Sequence, residues 1–288
     1  MSWYKVKKYK DGQISVSLDV EYIDWQSMNS RDFWFVDIGG VSYEDLFVAA
    51  SVKEAFNKYW KDSHYVSRES HPAYKANKPQ LVLRIKCLIS QRSDRRFEAY
   101  DSFDLKVVAN FINSMGYDIV KVLDPHSDVT MGLIDNSFKA SPFEFVKEAA
   151  IKSETKHKNQ VVLVSPDAGA YKKIFSFAEK LDLDMVAANK VRMVGNEMVI
   201  NVIGDVKDKT CLIVDDIADG GRTFTVLAKK LKELGASHVY LYVTHGMFHY
   251  GVDELKENID GIFTTDSYRD LSEYGEYIKQ FKIHNYVW

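Results

Sequence analysis

The chain has 288 residues, 46% of them apolar and 27% charged, with a net charge of −3. This is the balance of an ordinary globular protein, with length for one large or two medium cores. It offers no electrostatic case for nucleic acid as a partner, and no apolar run reaches membrane-spanning length.

The opening residues, Met-Ser-Trp-Tyr-Lys-Val-Lys-Lys, lack the apolar core of a signal peptide. Cys87 and Cys211 are the two cysteines, each in an apolar strand-like run. They read as buried thiols of a reducing compartment, so a cytoplasmic protein with no membrane partner is expected.

Apolar strands alternate with helical patterns over most of the chain, which predicts an α/β fold with mainly parallel sheets. Strands are expected at 33–38, 81–89, 118–123, 161–165, 184–187, 210–214 and 238–243. Helices are expected at 43–60, 102–115, 142–152, 168–181, 223–235 and 269–280. Residues 63–80, with His64, His71, Pro72 and Pro79, read as a long polar loop. Residues 192–204, with Gly195-Asn196 between two apolar stretches, read as a hairpin or mobile flap. The simplest division is two α/β domains, 1–140 and 141–288.

The stretch 211–225 carries the clearest chemistry. An apolar run leads into Asp215 and Asp216, then the loop Asp219-Gly220-Gly221-Arg222-Thr223, then a helical pattern of Val226, Leu227, Leu231 and Leu234. Backbone N–H groups of such a loop and the positive end of the following helix suit a phosphate. The carboxylates suit vicinal ribose hydroxyls, and also Mg²⁺. A plain Asp-Gly turn is the alternative. A Walker-type P-loop is excluded, because no Gly-Lys-Ser/Thr follows the glycines.

Five further segments lie in a fixed order along residues 9–192: Tyr9-Lys10-Asp11-Gly12-Gln13, Arg92-Ser93-Asp94-Arg95-Arg96, Asp124-Pro125-His126, Ser165-Pro166-Asp167-Ala168-Gly169 and Lys190-Val191-Arg192. With the acidic loop, this ordered set resembles the phosphoribosyl pyrophosphate synthetase family. The resemblance implies two phosphoribosyltransferase-like, Rossmann-like domains, an ATP-side domain followed by a ribose-phosphate domain, with the active site at their interface. It implies transfer of the β,γ-diphosphoryl group of Mg-ATP to the anomeric hydroxyl of a 5-phosphorylated ribose, releasing AMP, by a homo-oligomer.

Roles follow by resemblance. His126 and Asp167 hold the Mg²⁺ on ATP. Arg92, Asp94 and Arg95 contact ATP, while Tyr9, Asp11 and Gln13 form an adenine slot offered to a neighbouring subunit. Lys190 and Arg192 close over the migrating phosphates as catalytic cations, whose value lies in charges aimed before reaction. Asp215, Asp216, Asp219, Gly220, Gly221, Arg222 and Thr223 bind the ribose phosphate. Each has a plainer reading as well: a turn histidine at 126, a helix cap at Asp167, a solvated charge run at 92–96, a β-turn at Asp11-Gly12.

The chain also departs from the family pattern. Only eight residues precede Tyr9, 63–80 reads as an insertion, Gln13 stands for a Glu and Ser93 for a Gln. In the loop the family has Asp-Thr-Ala-Gly-Thr or Asp-Ser-Gly-Gly-Thr, whereas here Gly220 removes a hydroxyl and Arg222 adds a cation able to meet a second phosphate. Divergent, phage-encoded relatives use ADP-ribose as acceptor to rebuild NAD⁺, in their host's cytoplasm. ADP-ribose is therefore slightly favoured over ribose 5-phosphate as acceptor. The competing functions are a phosphoribosyltransferase, which needs no ATP side, and a non-catalytic regulatory relative, which needs neither metal nor cation sites.

Overall fold

The computed structural model describes residues 3–20, 33–70, 78–157, 160–192 and 198–286. The chain divides into two compact units, Met1–Ala140 and Ser141–Trp288.

The first unit opens with an antiparallel hairpin, β1 (Tyr4–Lys8) and β2 (Ile14–Leu18). Its main sheet is β3 (Phe33–Ile38), β4 (Gln80–Ile85), β5 (Ile119–Leu123) and β6 (Ser137–Ala140), all parallel and in sequence order. In β3 the side chains alternate, with Trp34, Val36 and Ile38 buried, as a strand with one open face requires. Trp3 closes one end of this core: its indole N–H donates to Phe35 O at 2.9 Å, and its ring packs edge-on against Trp34 and Phe56.

Helix α1 (Tyr43–Ser70) begins with a reciprocal cap, in which Asp45 N donates to Ser42 Oγ and Ser42 N donates to Asp45 Oδ2. Leu46, Ala49, Val52 and Phe56 form its buried stripe. The loop expected from residue 63 is corrected here, because the helix continues to Ser70. Residues 61–70 hold no Gly or Pro, so nothing ends the helix until Pro72 approaches. Residues 71–77 of the expected loop lie outside the described residues. Helices α2 (Asp104–Ser114) and α3 (Val129–Leu133) complete the unit.

The second unit holds α4 (Phe143–His157), β7 (Val161–Ser165), α5 (Tyr171–Leu181), β8 (Asp184–Arg192), β9 (Met198–Ile203), β10 (Thr210–Ala218), α6 (Arg222–Glu233), β11 (His238–Gly246), α7 (Asp253–Lys256), β12 (Gly261–Thr265) and β13 (Ile278–Phe281). The strands form one seven-stranded sheet in the order β13-β12-β11-β10-β7-β8-β9, parallel except for β8 and β9. β7 is buried along its whole length and β10 nearly so, because helices cover both faces. Phe224, Leu227, Ala228 and Leu231, at i, i+3, i+4 and i+7, are the buried stripe of α6.

Three expectations are corrected in this unit. The helix expected at 269–280 is a 3-10 turn, Ser272–Tyr277, followed by the edge strand β13. Gly275, at φ +57°, breaks the helical path, and the chain then pairs with β12 through Ile262 and Ile278. Helix α5 starts at Tyr171, not at Ala168. β10 runs to Ala218, so Asp215 and Asp216 lie within the strand rather than past its end.

The strands β8 and β9 are an antiparallel pair, with Arg192 opposite Met198. The turn joining them lies outside the described residues. No described helix is long and apolar enough to cross a membrane.

Candidate active site

The order of the second sheet reverses between β7 and β10. From β7 the chain moves outward to β8, and from β10 it moves the other way to β11, β12 and β13. Such a switch point opens a crevice outside the carboxyl ends of the two strands, the ordinary ligand position of open α/β sheets. Asp167 follows β7 there, and Asp215 to Thr223 lie on or just past the end of β10.

Asp167 is exposed, and its Oδ1 accepts the N–H of Ala170 at 3.0 Å. Ser165 Oγ donates to the Asp167 carbonyl at 2.8 Å. The carboxylate thus organises the turn ahead of α5 and still stands at the crevice.

Asp215 is held well above the usual carboxylate range, first by burial and then by the charge of Asp216 beside it. The Lys173 ammonium of α5 acts weakly in the opposite direction. Asp216 N donates to Asp215 Oδ1 at 2.9 Å, and Asp216 itself is buried. Two adjoining carboxyls in a crevice, one of them readily protonated, can offer both donor and acceptor to a pair of hydroxyls.

The loop at 219–221 connects β10 to α6 in the tight way its glycines permit. Gly221 sits at φ +72° as the residue before the helix, and a Cβ there would meet the Leu255 side chain at 3.0 Å. Its carbonyl accepts the N–H groups of Phe224 and Thr225. Gly220 does not need a positive φ. Its open side faces the ring of Tyr250, which would lie 3.6 Å from a Cβ. Arg222 is exposed at the first residue of the twelve-residue helix α6, whose positive end favours anions.

The first unit gathers a second group at the ends of β4 and β5, which are neighbouring parallel strands. Gln91, buried, accepts the His126 backbone N–H on its Oε1 at 3.0 Å. Asp94 is buried and paired in two-pronged fashion with Arg95, Nε to Oδ1 at 2.7 Å and Nη2 to Oδ2 at 3.0 Å. The Arg95 guanidinium holds Asp94 below the usual carboxylate range, with smaller help from Ser127 and the His126 charge. Asp124 reaches φ +40° in a fully buried position, a strained bend that turns His126 outward to solvent. Arg92 and Arg95, in the loop after β4, are exposed.

Tyr9, Asp11 and Gln13 stand at the tip of the β1–β2 hairpin. Gly12 N donates to Tyr9 O at 3.0 Å, and Asp11 Oδ1 accepts the Gln13 N–H. A turn is therefore present at Asp11-Gly12, with the Lys7 ammonium over the Tyr9 ring at 4.6 Å. Lys190 and Arg192 belong to β8 by their backbone. Their side chains lie outside the described residues.

The residues sequence reading missed are Gln91, Lys173, His249, Tyr250 and Tyr268. His249 makes contact with Asp219 and Tyr268, Nδ1 to Asp219 Oδ1 at 2.7 Å and Nε2 to the Tyr268 hydroxyl at 2.9 Å. Among the described residues, no three His, Cys, Asp or Glu side chains cluster as a metal cage. A Mg²⁺ carried on a triphosphate needs only one or two protein ligands, and the exposed oxygen-donor Asp167 fits that demand.

Residues 143–266 match the phosphoribosyl transferase domain family. The ribose-phosphate pyrophosphokinase of Gloeobacter violaceus is 37% identical over 181 residues, 60% of this chain and 52% of that protein. That of Clostridium perfringens is 34% identical over 160 residues, 54% of this chain and 50% of that protein. Over these stretches the chain is similar to ribose-phosphate pyrophosphokinases.

The matched stretches span about half the length of these curated relatives. The crystal structure of phosphoribosylpyrophosphate synthetase from Mycobacterium smegmatis has the same fold, with a TM-score of 0.72 over 99% of this chain and 87% of that one, at 19% identity. The phosphoribosyl transferase match spans both the β7 turn and the β10 loop, so the switch-point crevice falls inside it.

Proposed function

We propose that the protein is a Mg-ATP-dependent diphosphokinase that transfers the β,γ-diphosphoryl group of ATP to the 1-hydroxyl of a 5-phosphorylated ribose and releases AMP. The observation that carries this reading is the switch-point crevice, where Asp167, the Asp215–Asp216 pair and the loop 219–223 converge. A metal-bound phosphate, a sugar diol and a terminal phosphate need those three kinds of group.

The Asp215–Asp216 pair orients the ribose hydroxyls, and the N–H groups of the loop and of the start of α6 take the 5-phosphate. Arg92, Arg95 and His126, fixed by Asp94 and Gln91, face the nucleotide, while Tyr9, Asp11 and Gln13 on the hairpin serve a neighbouring copy's adenine. Asp167 on the second unit and His126 on the first would each serve as a Mg²⁺ ligand, and the metal when bound would supply charge neutralisation for the triphosphate. Lys190 and Arg192 stabilise the charge on the migrating group, and positioning with electrostatics supplies the rest, as phosphoryl transfer allows.

Of the two acceptors, ADP-ribose is favoured by the loop: Gly220 leaves the mouth open toward Tyr250, and the exposed Arg222 offers a second phosphate a cation. Ribose 5-phosphate is the second reading, favoured by the names of the relatives. Chromatography of reactions containing Mg-ATP and either acceptor tests both. AMP release with one acceptor identifies it, and no AMP with either removes the diphosphokinase reading.

A further inference from the structure

Three loops at the carboxyl ends of β10, β11 and β12 are cross-linked beside the phosphate loop. The Ala218 carbonyl, at the end of β10, accepts the N–H groups of Met247 at 2.8 Å and Phe248 at 3.2 Å. Phe248 is buried and adopts φ +45°, a left-handed bend that sends the next residue outward. Arg269, after β12, holds the bend from the other side by donating to the Met247 carbonyl at 3.0 Å and the Phe248 carbonyl at 3.3 Å. His249 is thereby fixed between the two neighbouring loops.

Both ring nitrogens of His249 are engaged. A carboxylate oxygen only accepts, so Nδ1–H donates to Asp219, and in the neutral imidazole Nε2 accepts from the Tyr268 hydroxyl. The Tyr268 ring also packs edge-on at 5.5 Å, which locks the imidazole plane. Asp219 is the residue that opens the loop, and on the ribose-phosphate reading its negative charge stands beside the N–H groups that would take the anion. Unheld, that carboxylate would compete for those N–H groups and repel a phosphate at close range.

We propose that His249 is a positioning residue for the acceptor's phosphate, acting by holding the Asp219 carboxylate out of the loop. This rests on the reading of 219–223 as the ribose-phosphate loop. It concerns only how the loop is kept ready for an anion, and Tyr268 is its support.

The test is calorimetric binding to the full chain of ribose 5-phosphate, of ADP-ribose and, separately, of Mg-ATP. His249→Ala is expected to weaken the tighter acceptor about tenfold, the scale of one charge-assisted hydrogen bond. Mg-ATP affinity is expected to stay within about twofold. His249→Asn keeps a donor for Asp219 and is expected to recover most of the loss.

In an Asp219→Ala background, adding His249→Ala is expected to change nothing further, because the charge it restrains is gone. Equal loss of acceptor and Mg-ATP affinity, acceptor binding unchanged in His249→Ala, or no recovery in His249→Asn would each overturn the proposal. A parent chain that binds neither acceptor would overturn it together with the loop assignment. Because the readout is binding, absence of AMP release would sink the diphosphokinase reading alone.

Discussion

The side chain of Gln91 accepts the backbone N–H of His126 at 3.0 Å, across 35 residues of sequence. This bond ties the loop after β4 to the loop after β5 and sets the direction in which His126 leaves the sheet. Gln91 also donates from Nε2 toward Cys87 Sγ at 3.5 Å, so the amide is held at both ends inside the first unit.

Gln91→Leu is therefore expected to leave the His126 N–H without its partner while filling nearly the same space. The cost is about 1 kcal/mol, the low end for an unsatisfied donor, because this bond is only partly buried. Mg-ATP binding should weaken several-fold while acceptor binding to the second unit holds. Calorimetry with each ligand, alongside thermal denaturation, measures this; equal effects on both ligands would count against a local role.

Asp215 gives a pH-dependent prediction. Burial and Asp216 raise its folded-state pKa well above the unfolded value of about 3.9. The folded state then holds a proton that the unfolded state has already lost. The contribution of Asp215 to stability is complete below the unfolded pKa and is lost as pH rises through the folded one. Asp215→Asn should accordingly gain stability relative to the parent between pH 4 and 8, with the gain vanishing toward pH 4. Denaturation midpoints across that range decide the sign, and catalytic loss in the same variant would be the ordinary trade at a functional site.

Gly220 and Arg222 predict acceptor choice. A Cβ at 220 would meet Tyr250 at 3.6 Å, an ordinary contact, and no positive φ forbids a larger residue. Gly220→Ser should fold with stability changed by no more than about 0.5 kcal/mol and should shift preference toward ribose 5-phosphate. Arg222→Ala should lose kcat/KM selectively with ADP-ribose, by about tenfold for a lost charged contact. Steady-state kinetics of both variants on both acceptors measure the shift, and equal loss on both acceptors would assign Arg222 a generic loop role.

The strands were legible where both faces are covered. Residues 161–164 and 211–214 are uninterrupted apolar runs because helices leave them no solvated side. The far half of α1 was not, because its residues past 60 are polar and a polar stretch beside Pro72 reads as loop. The edge strand β13 was hidden in a helix-like pattern that Gly275 breaks. The β1–β2 hairpin is too short and too exposed to announce itself by periodicity, and only its Asp11-Gly12 turn is written locally.

The site divides in the same way. Asp215, Asp216 and the glycine loop are contiguous, so residue type and spacing expose them. His249 acts on Asp219 from 30 residues away and on Tyr268 from 19 residues away. Such partners come together only through the parallel order of β10, β11 and β12. The order reversal between β7 and β10 likewise belongs to topology, and no local pattern encodes it.

The most direct measurement of the central claim is the release of AMP from Mg-ATP, followed by chromatography, with ADP-ribose or ribose 5-phosphate present and with neither. The account predicts AMP formed in step with a new diphosphorylated sugar, dependent on acceptor and abolished in Asp167→Ala. AMP absent with both acceptors, or undiminished in Asp167→Ala, would contradict it.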